Sequence, residues 1–319
     1  MLRIKRWKWL MPALLQVGAV YGQPFPAKPV RLITVETGGG ADFASRLIAA
    51  SLSDSLGQQV VVENRGGAGG AIAIETVARA PANGYTLMLQ GSTLWLLPIL
   101  RAKASWDAVN DFAPITWVTK APNILLVHPS LPTPAVRDLV ALVKTRPGEL
   151  SYSSSGTGSS THLAAALFVV MAGISIQHVP YKGAGPSLNG LVGGQVHLGF
   201  AFAGGAMPHV KSGRLRALAV CSAEPSRLTP GLPPLAATLP GYELVSTLGI
   251  FAPAGTPGPT VTRLNQAIVQ VLNKAEVKER FFTAGAETVG SSPEELLALM
   301  KSDIARLGPV IRKAGIRDD

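Results

Sequence analysis

Short apolar runs alternate with helix-like segments along most of this chain, and this alternation restricts its fold more than any other feature. Extended runs predict strands at 29–35, 60–62 and 85–89, and the segments between them predict helices at 42–56 and 71–80. A β-α-β-α-β order favours a mostly parallel sheet with right-handed crossovers and helices on both faces. The first part of the chain is therefore predicted to be α/β.

The same alternation restarts in the middle of the chain. A proline-rich stretch at 225–241 interrupts it, one more strand is predicted at 248–251, and the remainder is predicted to be helical. Ser292 precedes the last helix, with Pro293 at its first position and Glu295 three residues past the cap, which is a capping-box arrangement. The middle region is predicted to hold strands at 124–127, 150–153, 176–179, 196–202 and 215–220 and helices at 136–144, 161–171 and 186–191.

This repeated order in 319 residues predicts two domains with separate cores. Because a terminal pair of helices cannot form a domain alone, we expect the C-terminal part to pack on the first lobe. Lobe 1 would comprise residues 23–120 and 246–319, and lobe 2 residues 121–245, with two crossings between them. A cleft between parallel-sheet lobes is the expected ligand site.

The N-terminus has the composition of a secretory signal peptide. Four basic residues precede an apolar run at 9–20, and small or turn-forming residues follow it. An N-terminal membrane anchor is the alternative, but this run is short against the ~20 residues that span a bilayer. We therefore expect residues 1–22 to be cleaved near Gly22 and the mature protein to be periplasmic. Cys221 is the only cysteine, so no internal disulfide is expected.

Charge argues against one class of partner. The chain has a net charge of +10, and removal of residues 1–22 takes away four positive charges and no negative one, which leaves +6. The remaining basic residues are scattered and match no nucleic-acid recognition motif, so no nucleic-acid partner is expected. A basic surface attracts anions, although it also serves solubility alone.

Two turns rich in glycine and hydroxyl residues lie where a predicted strand passes into a predicted helix, at 37–42 and 153–161. At such a junction the first helical N–H groups lack internal partners, the helix dipole is positive, and glycine permits close approach of a ligand. Two facing turns of this kind would bind an anion. The alternative is that each turn only reverses and caps the chain. Phe43 stands where a dinucleotide-binding fingerprint needs glycine, so the first turn is not of that type.

Catalytic chemistry finds little support in the sequence. The five histidines show no metal-ligand spacing, and no acidic cluster accompanies them. Ser159 and His162 suggest hydrolysis, but they lack a nucleophile elbow, and serine before a helix is usually a cap. No catalytic residue, metal or cofactor is therefore predicted, and the chain is not expected to be an enzyme.

Four ordered blocks resemble one family. They are VVENRGGAGGAIAIETVARAPANGYTL at 61–87, SYSSSGTGSSTHLAAALF at 151–168, HVPYKGAGPSLNGLVGGQVHLGF at 178–200 and SSPEELLALMKSDIARLGPVIRKAGI at 291–316. They are similar to the Bug-type or TctC-type substrate-binding proteins of tripartite tricarboxylate transporters. The resemblance implies a two-lobed periplasmic binding protein fold of type II that closes over its ligand by a hinge motion. It also implies a small organic carboxylate as ligand, held by backbone N–H groups, hydroxyls and ordered water.

The resemblance also implies a set of ligand-binding residues. Tyr181 has a structural alternative, because a tyrosine can pack its ring and bond through its hydroxyl far from a ligand. The implied set is Thr37, Gly38 and Gly39 in the first turn, Ser92 and Thr93 after the third strand, Ser154, Gly156, Thr157, Gly158 and Ser159 in the second turn, and Tyr181, Gly183 and Ala184 along the wall.

The chain departs from the family at Glu36, where relatives carry an apolar segment before the double glycine. A carboxylate beside a bound anion is unfavourable unless it is solvated, protonated or opposed by a cation. Glu36 therefore either points into solvent or faces the cleft and pairs with an amine or metal carried by the ligand. The second case would favour a zwitterion over a simple polycarboxylate.

Three functions are compatible with these observations to different degrees. The first is a receptor that captures a carboxylate for the membrane subunits of a tripartite tricarboxylate-type transporter, acting as a monomer. The second is a ligand-sensing subunit of a membrane signalling system, which would use the same fold and site. The third, an exported enzyme, lacks a nucleophile-base or metal constellation.

Overall fold

The computed structural model describes residues 25–35, 37–67, 70–101 and 104–316. The predicted signal peptide at 1–22, its cleavage site near Gly22, and Glu36 lie outside these residues.

The described residues form ten strands joined in one continuous curled sheet, in the order β2-β1-β3-β9-β4-β7-β5-β6, with β8 and β10 also pairing with β4. The strands are β1 Val30–Thr34, β2 Val60–Asn64, β3 Thr86–Gly91, β4 Phe112–Val127, β5 Ser151–Ser154, β6 Gln177–Pro180, β7 Leu198–Phe202, β8 Arg216–Val220, β9 Val245–Pro253 and β10 Glu287–Thr288.

Parallel strands lie at both ends of the sheet. β1 pairs in parallel with β2 and β3, and β5 pairs in parallel with β6 and β7. The middle is antiparallel: β9 pairs with β3 and β4, and β4 pairs with β7 and β8. Strand β4 joins the two groups because it pairs with β9 as far as Pro122 and with β7 from Asn123 onward.

Ten α-helices cover the sheet in the described part of the chain. They are α1 Gly40–Leu56, α2 Ala71–Ala78, α3 Thr93–Leu100, α4 Val136–Thr145, α5 Ser160–Ala172, α6 Ala184–Val192, α7 Ala203–Lys211, α8 Gly258–Asn273, α9 Ala275–Thr283 and α10 Pro293–Lys313. Ser292 Oγ accepts from Glu295 N and the Glu295 carboxylate accepts from Ser292 N, so the predicted capping box is confirmed. No helix of the described residues is both long and apolar enough to cross a bilayer.

Three clusters of buried apolar side chains hold these layers together. One lies between the β1–β3 and β9 strands and the helices α1, α8 and α9. A larger one lies on the opposite face, where α2, α3, α5 and α10 pack. The third lies between β4, β7 and β8 and the helices α6 and α7. Helix α10 contacts α3, α5 and β4, so it packs against the helices that follow β3 and β5.

The predicted α/β fold is confirmed, and strands β1–β3 and β5–β8 lie where the sequence predicts them. Helices α3 and α7, strand β10 and the first twelve residues of β4 were not predicted. The sheet is also less parallel than predicted, because the long β4 and β9 run against their neighbours. The boundaries 23–120, 121–245 and 246–319 of the lobes stay a prediction.

Candidate functional site

The first predicted ligand turn connects β1 to α1. Thr37, Gly38 and Gly39 are exposed, and Gly38 has φ +80°, a conformation that favours glycine. A Cβ built on Gly38 would meet no atom within 4 Å. The turn therefore borders open space that a ligand could enter.

Asp42 fixes the shape of this turn. Its carboxylate accepts from the Gly38 amide at 2.9 Å, from Arg46 Nε at 3.0 Å and from Asn64 Nδ2 at 2.9 Å. The hydrogen bond from Arg46, followed by those from Gly38 and Asn64, lowers the pKa of Asp42 to about 2. The carboxylate is thus ionised at neutral pH, and the Gly38 amide is committed to it. Of the three predicted residues in this turn, Thr37 and Gly39 do not bond to Asp42.

Ser92 and Thr93 stand at the start of α3, directly after β3. Ser92 is the residue before the helix, and its carbonyl accepts from Leu96 N at 2.9 Å. Ser92 lines a cavity of about 80 Å³ between α3, α5, β9 and α10, and Ser160 from the second turn lines the same cavity. Residues at the starts of α3 and α5 therefore share one space.

The second predicted turn, between β5 and α5, is held by its own hydrogen bonds. Ser159 Oγ donates to Gly156 O at 2.7 Å and accepts from His162 N, so Ser159 caps α5. Gly156 N donates to Ser154 Oγ at 3.2 Å. Thr157 is the exposed residue at the tip. Most donors of this turn therefore bond within the turn, and Thr157 at its tip is the part that faces solvent.

Two histidines support this turn from beneath. Ser154 Oγ lies 2.7 Å from His178 Nε2, and Gly158 N donates to His162 Nδ1 at 3.1 Å. The rings of His162 and His178 stack with centroids 4.0 Å apart. Together with Tyr152 and Thr157 they line a second cavity of about 600 Å³. The spacing of these histidines in the sequence suggests only metal ligands or bases, and nothing in it indicates that they lie under the turn.

The segment at 181–184 is tied to the second turn. Tyr181 N donates to Ser154 O at 3.0 Å, and Gly183 N donates to Ser155 O at 3.1 Å. Ala184 begins α6 and is exposed. The Tyr181 hydroxyl donates to Gln195 Oε1 at 3.1 Å. These contacts agree with the structural alternative for the Tyr181 side chain, whereas its backbone remains beside the turn.

The structure brings the second turn at 154–159 and the segment at 181–184 together, whereas in the described part of the chain the first turn at 37–39 is not bonded to them. Hydrogen bonds join the segment at 181–184 to the second turn, but among the described residues none joins either of them to Thr37, Gly38 or Gly39. The second turn does approach α3, since a Cβ built on Gly158 would lie 3.1 Å from Leu100 Cδ1. Whether these residues bind the ligand stays a prediction.

The hydrolytic alternative lacks its central contact. Ser159 Oγ bonds to Gly156 O, Thr161 Oγ1 and the His162 backbone, while His162 Nδ1 accepts from Gly158 N. No nucleophile-to-imidazole hydrogen bond thus links Ser159 and His162 in the described structure. Within the same residues no three side chains of His, Cys, Asp or Glu are placed to hold a metal ion.

Comparison with known proteins identifies the family. The family model described as "Tripartite tricarboxylate transporter family receptor" matches residues 44–316. The chain belongs to this family. BugT of Bordetella pertussis is 35% identical over 304 residues, which cover 93% of each chain.

Two solved structures of relatives contain carboxylates. The structure of R. palustris Rpa4515 with adipate is 37% identical with a TM-score of 0.80, and covers 92% of this chain and 99% of its own. MatC from Rhodopseudomonas palustris with bound malate is 30% identical with a TM-score of 0.75, and covers 90% of this chain and 100% of its own. The predicted resemblance and two-lobed binding-protein fold are therefore confirmed. Since the family is one of receptors, the prediction that the chain is not an enzyme is confirmed as well.

Proposed function

We propose that this receptor binds a small organic dicarboxylate outside the cytoplasm and delivers it to the membrane subunits of a tripartite tricarboxylate-type transporter. The observation that carries the proposal is the pair of strand-to-helix turns at 37–39 and 154–159, which offer backbone amides and hydroxyls at two positive helix ends. Adipate and malate bound to family members support the ligand class.

Binding uses both turns in this proposal. Thr37 and Gly39 from the first turn and Thr157 at the tip of the second provide donors to opposite ends of the ligand. Ser92 and Thr93 donate from the start of α3. A ligand with two carboxylates suits two helix ends better than a ligand with one, since each positive end then faces a negative group.

A thermal-shift screen against malate, adipate and matched monocarboxylates tests the ligand class. A ligand that binds only the folded state at 100 times its Kd stabilises the protein by about 2.7 kcal/mol, which raises its melting temperature. Dicarboxylates are expected to raise the melting temperature and monocarboxylates to raise it less. No shift with any carboxylate, followed by no heat in calorimetric titration, contradicts the proposal.

The location and partnership need separate tests. We propose cleavage close to Gln23 and a periplasmic mature protein, so N-terminal sequencing of the exported protein should begin near residue 23. Retained Met1 in a cytoplasmic fraction contradicts this.

For transport, deletion of the gene should abolish uptake of the labelled dicarboxylate. Sedimentation of the purified protein should show a monomer. Normal uptake in the deletion strain contradicts a role in transport while leaving ligand binding intact.

A further inference from the structure

Gln90 lies at the end of β3, and within the described structure only one of the two polar atoms of its buried side-chain amide has a hydrogen-bond partner. The side chain is only 5% exposed. Its Oε1 accepts from Gly91 N at 2.8 Å. Its Nε2 is shielded from water and has no hydrogen-bond partner among the described residues. A buried donor without an acceptor costs free energy, so its retention calls for an explanation.

The unpaired Nε2 lies beside the start of α2. A Cβ built on Gly70, the residue before that helix, would lie 2.8 Å from Gln90 Nε2 and 3.2 Å from Val35 Cγ1. Gly70 has φ +94°, which also favours glycine. A side chain at position 70 would therefore collide with the amide, so the close approach of the start of α2 to Gln90 requires glycine.

This place also lies at the edge of the sheet where ligands of α/β proteins bind. Strands β1 and β3 run in parallel, with Ile33 opposite Met88, so Val35 and Gln90 follow at the same carboxyl edge. The first N–H groups of α2 lack partners within the helix and carry the positive end of its dipole. Gln90 Nε2 and the α2 N-terminus are both donors. A group that satisfies them must offer acceptors only and is favoured by negative charge.

We propose that Gln90 Nε2 and the start of α2 form a further subsite for a ligand carboxylate, and that Gln90 determines which carboxylates bind. The inference rests on the proposed function and adds to it a donor outside the turns at 37–39 and 154–159. Because Nε2 is shielded from water without ligand, a ligand oxygen can reach it only when the groups that cover it move. Binding then supplies the acceptor that the ligand-free protein lacks.

Substitution of Gln90 by methionine separates a ligand donor from a structural one. Gln90→Met keeps the length of the side chain and removes the Nε2 donor, together with the Oε1 acceptor of Gly91 N. Affinity for adipate or malate in calorimetric titration should fall about tenfold or more, the size expected for one hydrogen bond to a charged group. The melting temperature without ligand should change little, because removal of an unpaired buried donor offsets the loss of the hydrogen bond from Gly91 N. Gln90→Glu should weaken dicarboxylate binding at least as much, because it adds a like charge.

The control is Gln266→Met, which makes the same change at an exposed residue of α8 and should leave affinity unchanged. Inorganic phosphate is titrated in parallel, because it also presents anionic acceptors. Unchanged dicarboxylate affinity in Gln90→Met overturns the inference while the wild type still supports the proposed function. A loss of affinity confined to phosphate also overturns it. If the wild type binds neither malate nor adipate, both proposals fail together.

Discussion

The imidazole rings of His162 and His178 stack with centroids 4.0 Å apart and planes inclined by only 10°. His162 is 6% exposed and accepts from Gly158 N through Nδ1, so its neutral ring carries the proton on Nε2. Burial, and next the neighbouring His178, lower the pKa of His162 to about 4, and burial also lowers the pKa of His178. The second turn therefore rests on a neutral pair.

Acidification should destabilise the protein through this pair. Below its ordinary pKa near 6.5 the unfolded chain binds a proton on His162 that the folded protein does not bind until about pH 4. The neutral His162 therefore costs the folded protein nothing above pH 6.5. Between pH 6.5 and about pH 4 the free energy of unfolding should fall by up to about 3 kcal/mol. Urea denaturation at pH 7.5 and pH 5.0 measures the difference.

His162→Asn is the matched variant, because its Oδ1 can still accept from Gly158 N but does not titrate. Its unfolding free energy should change less between pH 7.5 and 5.0 than that of the wild type. Equal pH dependence in the two proteins would mean that other groups cause the acid sensitivity. The groups that line the same cavity and must be considered are Tyr152 and Lys313, together with His178.

Most of the sheet could be predicted because its strands are short, apolar and separated by amphipathic helices, as in β1 and α1. Helix α3 could not, since its sequence TLWLLPIL is apolar throughout and carries Pro98, so no period distinguishes it from a buried strand. The first part of β4 contains Pro114 and Pro122, which argue against a central strand. The structure accommodates Pro114 next to a register shift.

The site shows a different limit of sequence analysis. The turns at 37–39 and 154–159 are visible because glycine and hydroxyl residues at a strand-to-helix junction have a local chemical meaning. His178 and Gln90 gave no such signal. Their importance comes from what the fold places next to them, which is Ser154 in one case and the start of α2 in the other.

Substitution of Gly39 tests the first turn with little strain. Gly39 has φ −82° and ψ 173°, which any residue adopts, whereas Gly156 has φ +131° and would be strained by a side chain. Gly39→Val should lower dicarboxylate affinity at least about tenfold in calorimetric titration, because the branched side chain blocks approach to the backbone. Its melting temperature should change little.

Gly258→Val is a suitable control for that variant. Gly258 also lies at the start of a helix, and a Cβ built there meets no atom within 4 Å. Its affinity for the dicarboxylate should equal that of the wild type. Wild-type affinity in Gly39→Val as well would place the ligand away from the first turn.

Arg306 is expected to stabilise the packing of α10. Its Nη2 lies 3.0 Å from Asp303 Oδ1, its Nη1 donates to Glu243 O, and Trp95 Nε1 donates to Asp303 Oδ2 at 3.1 Å. Burial raises the pKa of Asp303, so its charge depends on these partners. Arg306→Met should lower the free energy of unfolding by about 2 kcal/mol at pH 7, because it leaves a buried carboxylate without its cation.

Chemical denaturation of the double variant completes that experiment. Adding Asp303→Asn to Arg306→Met removes the unpaired charge and should restore part of the lost stability. If the two single changes simply add, the carboxylate and guanidinium are not coupled, and the loss would come from the Glu243 contact.

The last prediction concerns the contact between Gly204 at the start of α7 and Gly285 after α9. A Cβ built on Gly204 would lie 2.9 Å from Ala284 O, and one built on Gly285 would lie 2.7 Å from Gly204 Cα. The two backbones therefore touch because neither residue has a side chain. Under the proposed lobe boundaries this contact joins lobe 2 to lobe 1, so Gly204→Val should force the lobes apart. A larger radius of gyration in solution scattering and a weaker affinity for the dicarboxylate are expected.

Gly205→Val provides the comparison, since a Cβ there would have only Leu188 Cδ2 within reach, at 4.0 Å. The radius of gyration of this variant should match that of the wild type. If Gly204→Val instead lowers the melting temperature with no change in the radius of gyration, the contact lies inside one rigid unit. The boundary at 245 would then have to move, because residues 204 and 285 would belong to the same lobe.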